Sequence, residues 1–177
     1  LVGRHREAVP GRVLEHHVVA LGAADLPALH ADVAANAVDP VHSEVADLEL
    51  FRDHPDLKSR AEQLAGRLHE LTDFLANVLK VTSVPSRFSG SVTYHDSCCG
   101  LRELGVKRQP RELLALVPGV QLTELDAAEQ CCGFGGTFSI KFGDVSGAIV
   151  EEKCRNIRAT GAGTVVMGDL GCMLNIE

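Results

Sequence analysis

Ser91-Val92-Thr93-Tyr94-His95-Asp96-Ser97-Cys98 is the stretch on which the fold turns. Residues 91–96 alternate and are β-branched, so they read as a strand, and a cysteine lies just past its end. The same grammar recurs twice downstream. Val120-Gln121-Leu122-Thr123-Glu124-Leu125 is a second predicted strand and leads within a few residues to Cys131-Cys132. Thr164-Val165-Val166-Met167-Gly168 is a third, followed by Asp169 and then Cys172. Helical segments separate them. Residues 110–116 begin with Pro110, suited to a first turn, and are closed by Pro118-Gly119; residues 144–159 form the second, with Asp144 placed to cap it and Gly161 and Gly163 to stop it. This order implies an α/β fold, a small parallel sheet of β-α-β units flanked by helices. Loops that follow the carboxyl ends of parallel strands gather on one edge, where ligands bind. Cys98, Cys131, Cys132 and Cys172, far apart in sequence, are therefore expected to meet.

The densest chemistry lies in Cys131-Cys132-Gly133-Phe134-Gly135-Gly136. Thiols on adjacent residues leave the chain in different directions, so they close a disulfide poorly and present two sulfurs to one metal centre more easily. Gly133, Gly135 and Gly136 permit positive φ and close approach of the backbone, bringing amide N–H groups within reach of sulfur around a cofactor. Cys172 follows Gly171 at what reads as a helix start, a position that favours a thiolate. His95, shortly before Cys98, is the nearby proton carrier and is expected beside the cofactor, although a histidine at a strand end is more often simply hydrogen-bonded. Two cysteines read differently. Cys99 is either a further ligand or a small residue suited to the turn, and Cys154, at helical spacing from Val150 and Ile157, reads as a small buried hydrophobe. Gly133-x-Gly135 lacks the third glycine of a dinucleotide fingerprint, because position 138 is Phe, and no phosphate-binding GxxxxGK[ST] loop occurs.

Upstream, Pro55 opens a run in which Leu57, Ala61, Leu64, Leu68, Leu71, Leu75 and Val78 recur at steps of four and three. That pattern predicts one long amphipathic helix over 55–80, its solvated face carrying Lys58, Arg60, Glu62, Arg67, Glu70 and Asp73. It should end before Val84-Pro85. Residues 1–50 are broken by Pro10, Pro27 and Pro40, with short helices expected near 11–21 and 26–36; His16, His17, His30 and His42 follow no ligand spacing and read as ordinary solvated or packed histidines. The whole chain of 177 residues carries a net charge of −7 without a long basic run, which argues against a nucleic-acid partner. No apolar run reaches the roughly 20 residues a membrane-spanning helix needs. Six cysteines, four of them in adjacent pairs, point to metal or redox use in a reducing compartment, so a cytoplasmic location is expected.

Tyr94-His95-Asp96-Ser97-Cys98, Leu101-Arg102-Glu103-Leu104-Gly105-Val106, Cys131 to Ser139, Glu152-Lys153 with Arg155-Asn156-Ile157, and Gly168-Asp169-Leu170-Gly171-Cys172 together closely resemble the cysteine-rich CCG domain. Within it they most resemble the iron–sulfur subunit of bacterial lactate-utilisation complexes, and more distantly those of glycolate oxidase and heterodisulfide reductase (its B subunit). The resemblance implies an iron–sulfur electron-transfer subunit, an oxidoreductase component working with other subunits of a complex that oxidises L-lactate, glycolate or another 2-hydroxy acid. It implies a cluster of the [4Fe-4S] type on Cys98, Cys131, Cys132 and Cys172. Asp169 stands where a C-x-x-C of the wider family begins, so fewer thiolates are expected than in heterodisulfide reductase. Residues 49–177 form the implied domain. Residues 1–48 contain no cysteine, whereas relatives usually carry a first, homologous half with its own cysteines, so that half is expected to be missing or replaced. Other readings compatible with the cysteines are a zinc-stabilised or metal-free interaction module, and a dithiol–disulfide oxidoreductase using Cys131 and Cys132.

Overall fold

The computed structural model describes residues 51–177 and the backbone of one short strand, β1 (Val33–Ala35). The expected alternation is present from residue 90 onward. Strands β3 (Gly90–His95), β4 (Val120–Leu122) and β5 (Thr164–Met167) form a parallel sheet in the order β4-β3-β5. Register is set by Val92 opposite Leu122 on one side and by Val92 to His95 opposite Thr164 to Met167 on the other. β3 is the central strand, and Val92, Thr93, Tyr94 and His95 are all buried, the two-sided burial of a parallel strand covered on both faces.

Each predicted boundary moves for a local reason. β4 stops at Leu122, although Thr123 still donates to the Val92 carbonyl at 2.8 Å, because the chain then leaves for a turn with Ala127 at φ 53°. The helix expected from Pro110 begins a little earlier, so Pro110 lies in the first turn of Arg108–Ala115. The later helix runs Gly143–Ala159; Asp144 sits inside its first turn and makes no cap, and the short helix Thr137–Lys141 precedes it. Gly161, at φ 66°, ends it as expected, taking the left-handed conformation that follows many helices. The chain closes with Leu170–Ile176.

Upstream the single long helix is corrected. Pro55–Ala65 (α1) is helical, but Gly66 and Arg67 turn back on the Glu62 and Leu64 carbonyls, and Leu68–Glu70 (β2) is extended and pairs in parallel with β1. Glu70 then begins a new helix. Its carboxylate accepts from the Thr72 amide at 2.7 Å, the Asp73 amide at 3.0 Å and the Thr72 hydroxyl, so Leu71–Asp73 (α2) and the wider π-turn Phe74–Val78 follow. Glu70 was expected on a solvated face and is instead 6% exposed, whereas Leu57, Leu64 and Leu71 of the expected apolar stripe are exposed. Of the helices expected near 11–21 and 26–36, Val33–Ala35 is an extended strand, and the remainder lies outside the described residues.

In chain order the downstream helices are α3 (Arg108–Ala115), α4 (Thr137–Lys141), α5 (Gly143–Ala159) and α6 (Leu170–Ile176). The main core joins α5, α6 and the loop ahead of α4: Leu125, Cys132, Val150, Cys154, Ile157, Cys172 and Ile176, with Phe134, Val165 and Met167 packed against it. Cys154 is buried there, as its helical spacing implies. Two of the expected ligand cysteines, Cys132 and Cys172, thus sit within the apolar core. Among the described residues no helix is long and apolar enough to cross a membrane.

Candidate metal centre

Cys132 and Cys172, from the exits of two strands, meet closely, while Cys98 and Cys131 lie near enough to influence each other but outside that closest group. Cys132 and Cys172 lie with their sulfurs 3.2 Å apart, too far for a disulfide bond near 2.05 Å and close enough to share one proton. Cys131 is within hydrogen-bonding reach of Cys98, and Cys98 feels the charges of both Cys131 and Cys132. The adjacent thiols therefore take different partners, Cys131 toward Cys98 and Cys132 toward Cys172. Cys99 falls outside the group. Its thiol faces the Glu103 carboxylate at 3.3 Å, and burial, helped by that carboxylate, pushes it up to about 12.

Charge within the cluster is uneven. The Cys172 thiol draws Cys132 well below the ordinary thiol range against the cost of burial, with further help from the His95 ring and the Phe134 amide. Cys172 is pushed far up, first by the hydrogen bond it shares with Cys132 and then by burial. The helix start at Cys172 is expected to favour a thiolate there; with the sulfurs 3.2 Å apart, Cys132 and Cys172 share a proton as a pair. Burial raises Cys98 as well.

The backbone around the sulfurs is shaped by glycine at the positions that need it. Gly133 has φ 88°, and a Cβ on it would stand 2.8 Å from the Ser146 carbonyl oxygen; its own amide donates to the Cys131 sulfur at 3.2 Å. Gly135 and Gly136 also have positive φ, but they are exposed and turn the chain into α4. A Cβ on Gly171 would overlap the Phe134 ring, so α6 approaches the loop closely only with glycine there. Asp169 caps α6, accepting from the Cys172 amide at 2.8 Å, which fixes Cys172 in the first turn.

Side chains the sequence reading passed over hold this loop by its carbonyls. Lys153 is fully buried in α5, and its ammonium donates to the carbonyls of Ala127 (2.9 Å) and Ala128 (3.2 Å). Ser146 donates to the Gly133 carbonyl at 2.7 Å, and Asn175 of α6 to that of Cys132 at 2.8 Å. Burial lowers the Lys153 ammonium's proton affinity, while the charges of Cys132, Asp96 and Cys131 partly restore it. Helical periodicity could place Lys153 on the buried face. No sequence signal announces which carbonyls a lysine will grip.

The exit of β3 is clamped in another way. Asp96 accepts a bidentate contact from Arg111 of α3 at 2.9 and 2.8 Å, and Arg111 also meets Glu124 and lies 5.2 Å from the Tyr94 ring centre. Ser97 accepts from the Gly100 amide at 3.1 Å, shaping the π-turn Cys99–Glu103 just after Cys98. His95 is the exception to this satisfied surround. It is 0% exposed, and neither ring nitrogen makes a well-formed hydrogen bond, its polar neighbour being the Cys132 thiol. One of its nitrogens and the sulfurs of Cys132 and Cys172 all lie within 4.8 Å of one another. A soft, sulfur-rich set of this kind, with an orphaned imidazole on its border, fits a thiophilic metal or an iron–sulfur cluster.

Residues 92–177 match the family described as cysteine-rich domain, CCG. The chain is 47% identical over 127 residues to Lactate utilization protein A of Oceanobacillus iheyensis, covering 72% of this chain and 52% of that protein. It is 43% identical over 128 residues to the protein of that name from Lysinibacillus sphaericus (72% and 56%), and 44% over 127 residues to that of Bacillus subtilis (72% and 53%). The chain thus spans about half the length of the curated relatives it matches. No solved structure matches it.

Proposed function

We infer, from the match of residues 92–177 to the cysteine-rich domain family and the likeness to Lactate utilization protein A, that this chain is an iron–sulfur subunit of a lactate-utilising system. Its role is to carry electrons from a 2-hydroxy acid, L-lactate in the first instance, to further subunits in the cytoplasm. The observation that supports the reading is the meeting of Cys132 and Cys172, their sulfurs 3.2 Å apart, with Cys98 feeling the charges of Cys131 and Cys132. When bound, an iron–sulfur cluster of the [4Fe-4S] type would supply one-electron uptake and release.

The chain's own part is to hold and tune that group. The four thiolates would bind it, and the amides of Gly133 and Phe134, already directed at Cys131 and Cys132, would donate to sulfur. Lys153 supplies a buried cation against an anionic centre, and the core around Cys132 and Cys172 limits solvent. Asp169 holds the α6 start through a backbone contact, which leaves the four cysteines as the thiolate set.

A single zinc ion is the second reading, favoured by one observation. Three donors within 4.8 Å of one another match the size of a mononuclear site. Anaerobic reconstitution separates the two. The iron–sulfur reading expects iron and acid-labile sulfide with broad visible absorption and a low-temperature EPR signal on reduction; a colourless protein holding one zinc would overturn it.

A further inference from the structure

We propose that His95 is a direct nitrogen ligand of the centre, so that the metal is held by imidazole as well as thiolate. The proposal rests on reading this site as a metal centre, and it adds a ligand to the four cysteines named above. The imidazole is fully buried in the central strand, where a polar ring ordinarily has a hydrogen-bond partner, yet neither nitrogen makes a well-formed hydrogen bond and the ring's one polar neighbour at this site is the Cys132 thiol. Alternation along β3 makes its direction part of the fold. Asp96, the next residue, is held by Arg111 on another side, so the strand exit is pinned and the ring stays with the sulfurs. A ring nitrogen and the sulfurs of Cys132 and Cys172 all lie within 4.8 Å of one another, so a shift on the order of half an ångström brings the imidazole within bonding distance, about 2.0–2.1 Å, of a metal atom held by those sulfurs.

The neighbouring polar groups make the vacancy specific. Lys153, Ser146, Asn175 and Asp169 are each committed to backbone atoms of the cysteine loop or of α6, and Asp96 is committed to Arg111. Among the described residues at this site, the imidazole is the donor left over.

The test uses the unmutated chain with 15N-labelled histidine, loaded anaerobically with iron and sulfide and reduced, and measures nitrogen hyperfine coupling by pulsed EPR. A strong coupling to histidine nitrogen is expected, absent in His95→Gln and retained in His69→Gln. A parallel cobalt(II) titration reads the ligand set whatever the native metal. His95→Gln is expected to weaken cobalt binding at least roughly tenfold, and His95→Cys to keep the metal with ligand-field bands moved to longer wavelength. Iron and sulfide bound without histidine coupling would overturn the imidazole ligand and leave the cluster reading standing. Cobalt bound through sulfur and His95 in a protein that takes no sulfide would do the reverse, and failure to bind either metal would overturn both.

Discussion

Residues 55–80 and residues 90–177 are both rich in well-patterned apolar residues, yet their patterns led to different outcomes. In the second region the three strands and their parallel sheet match the sequence reading, and Cys132 and Cys172 meet beyond two of the strand ends. In the first, an unbroken helical period gave way to helix, strand and a second helix. The difference lies in what pins each element. β3 is buried on both faces and bounded by two partners, so register and direction are over-determined. α1 buries Ala61 but leaves Leu57 and Leu64 exposed, so its stripe has little to hold it, and a pairing with β1 decides the path at Leu68–Glu70.

That contrast can be broken by mutation, beginning with the largest effect. Arg111→Leu leaves the Asp96 carboxylate, 1% exposed, without its bidentate partner, and a loss of about 3 kcal/mol is expected from urea unfolding. A loss below about 1 kcal/mol would mean that the β3 exit is not held as described. Gly133→Ala places a Cβ against the Ser146 carbonyl at φ 88°; about 2–3 kcal/mol is expected, with cofactor uptake falling in step because the Cys131 and Cys132 sulfurs move. Normal stability and uptake would contradict the strained turn.

The upstream region should respond less. Glu70→Ala removes the cap on Thr72 and Asp73 and is expected to cost about 1 kcal/mol, while hydrogen exchange at residues 66–72 shifts from a strand-and-turn pattern toward continuous helix. Unchanged exchange there would show that the β1–β2 pairing alone breaks the helix. Smallest of all, Cys154→Val swaps one small buried apolar side chain for another of similar size, and a change within about 1 kcal/mol with full metal content is expected. Lost metal would make Cys154 part of the centre.

Legibility followed the range of the interactions. Alternation in Ser91–Asp96 and Thr164–Gly168 is local, so strands and the loops after them could be read, and with them the approach of Cys132 to Cys172. β2 could not be read, because its partner lies more than thirty residues upstream and Leu68 and Leu71 keep helical spacing. Glu70 reads as a solvent-facing helix charge and Lys153 carries no such signal; burial reveals them as a cap and a carbonyl clamp. His95 was expected near the cofactor; its lack of any other partner is visible only in three dimensions.

Iron and acid-labile sulfide counted per folded chain across the six single cysteine-to-serine variants test most directly whether three strand exits build one centre. Serine at 98, 131, 132 or 172 is expected to remove most of both, and serine at 99 or 154 to leave them at the level of the unmutated chain. Full iron and sulfide in the Cys98→Ser or Cys172→Ser protein would contradict the account.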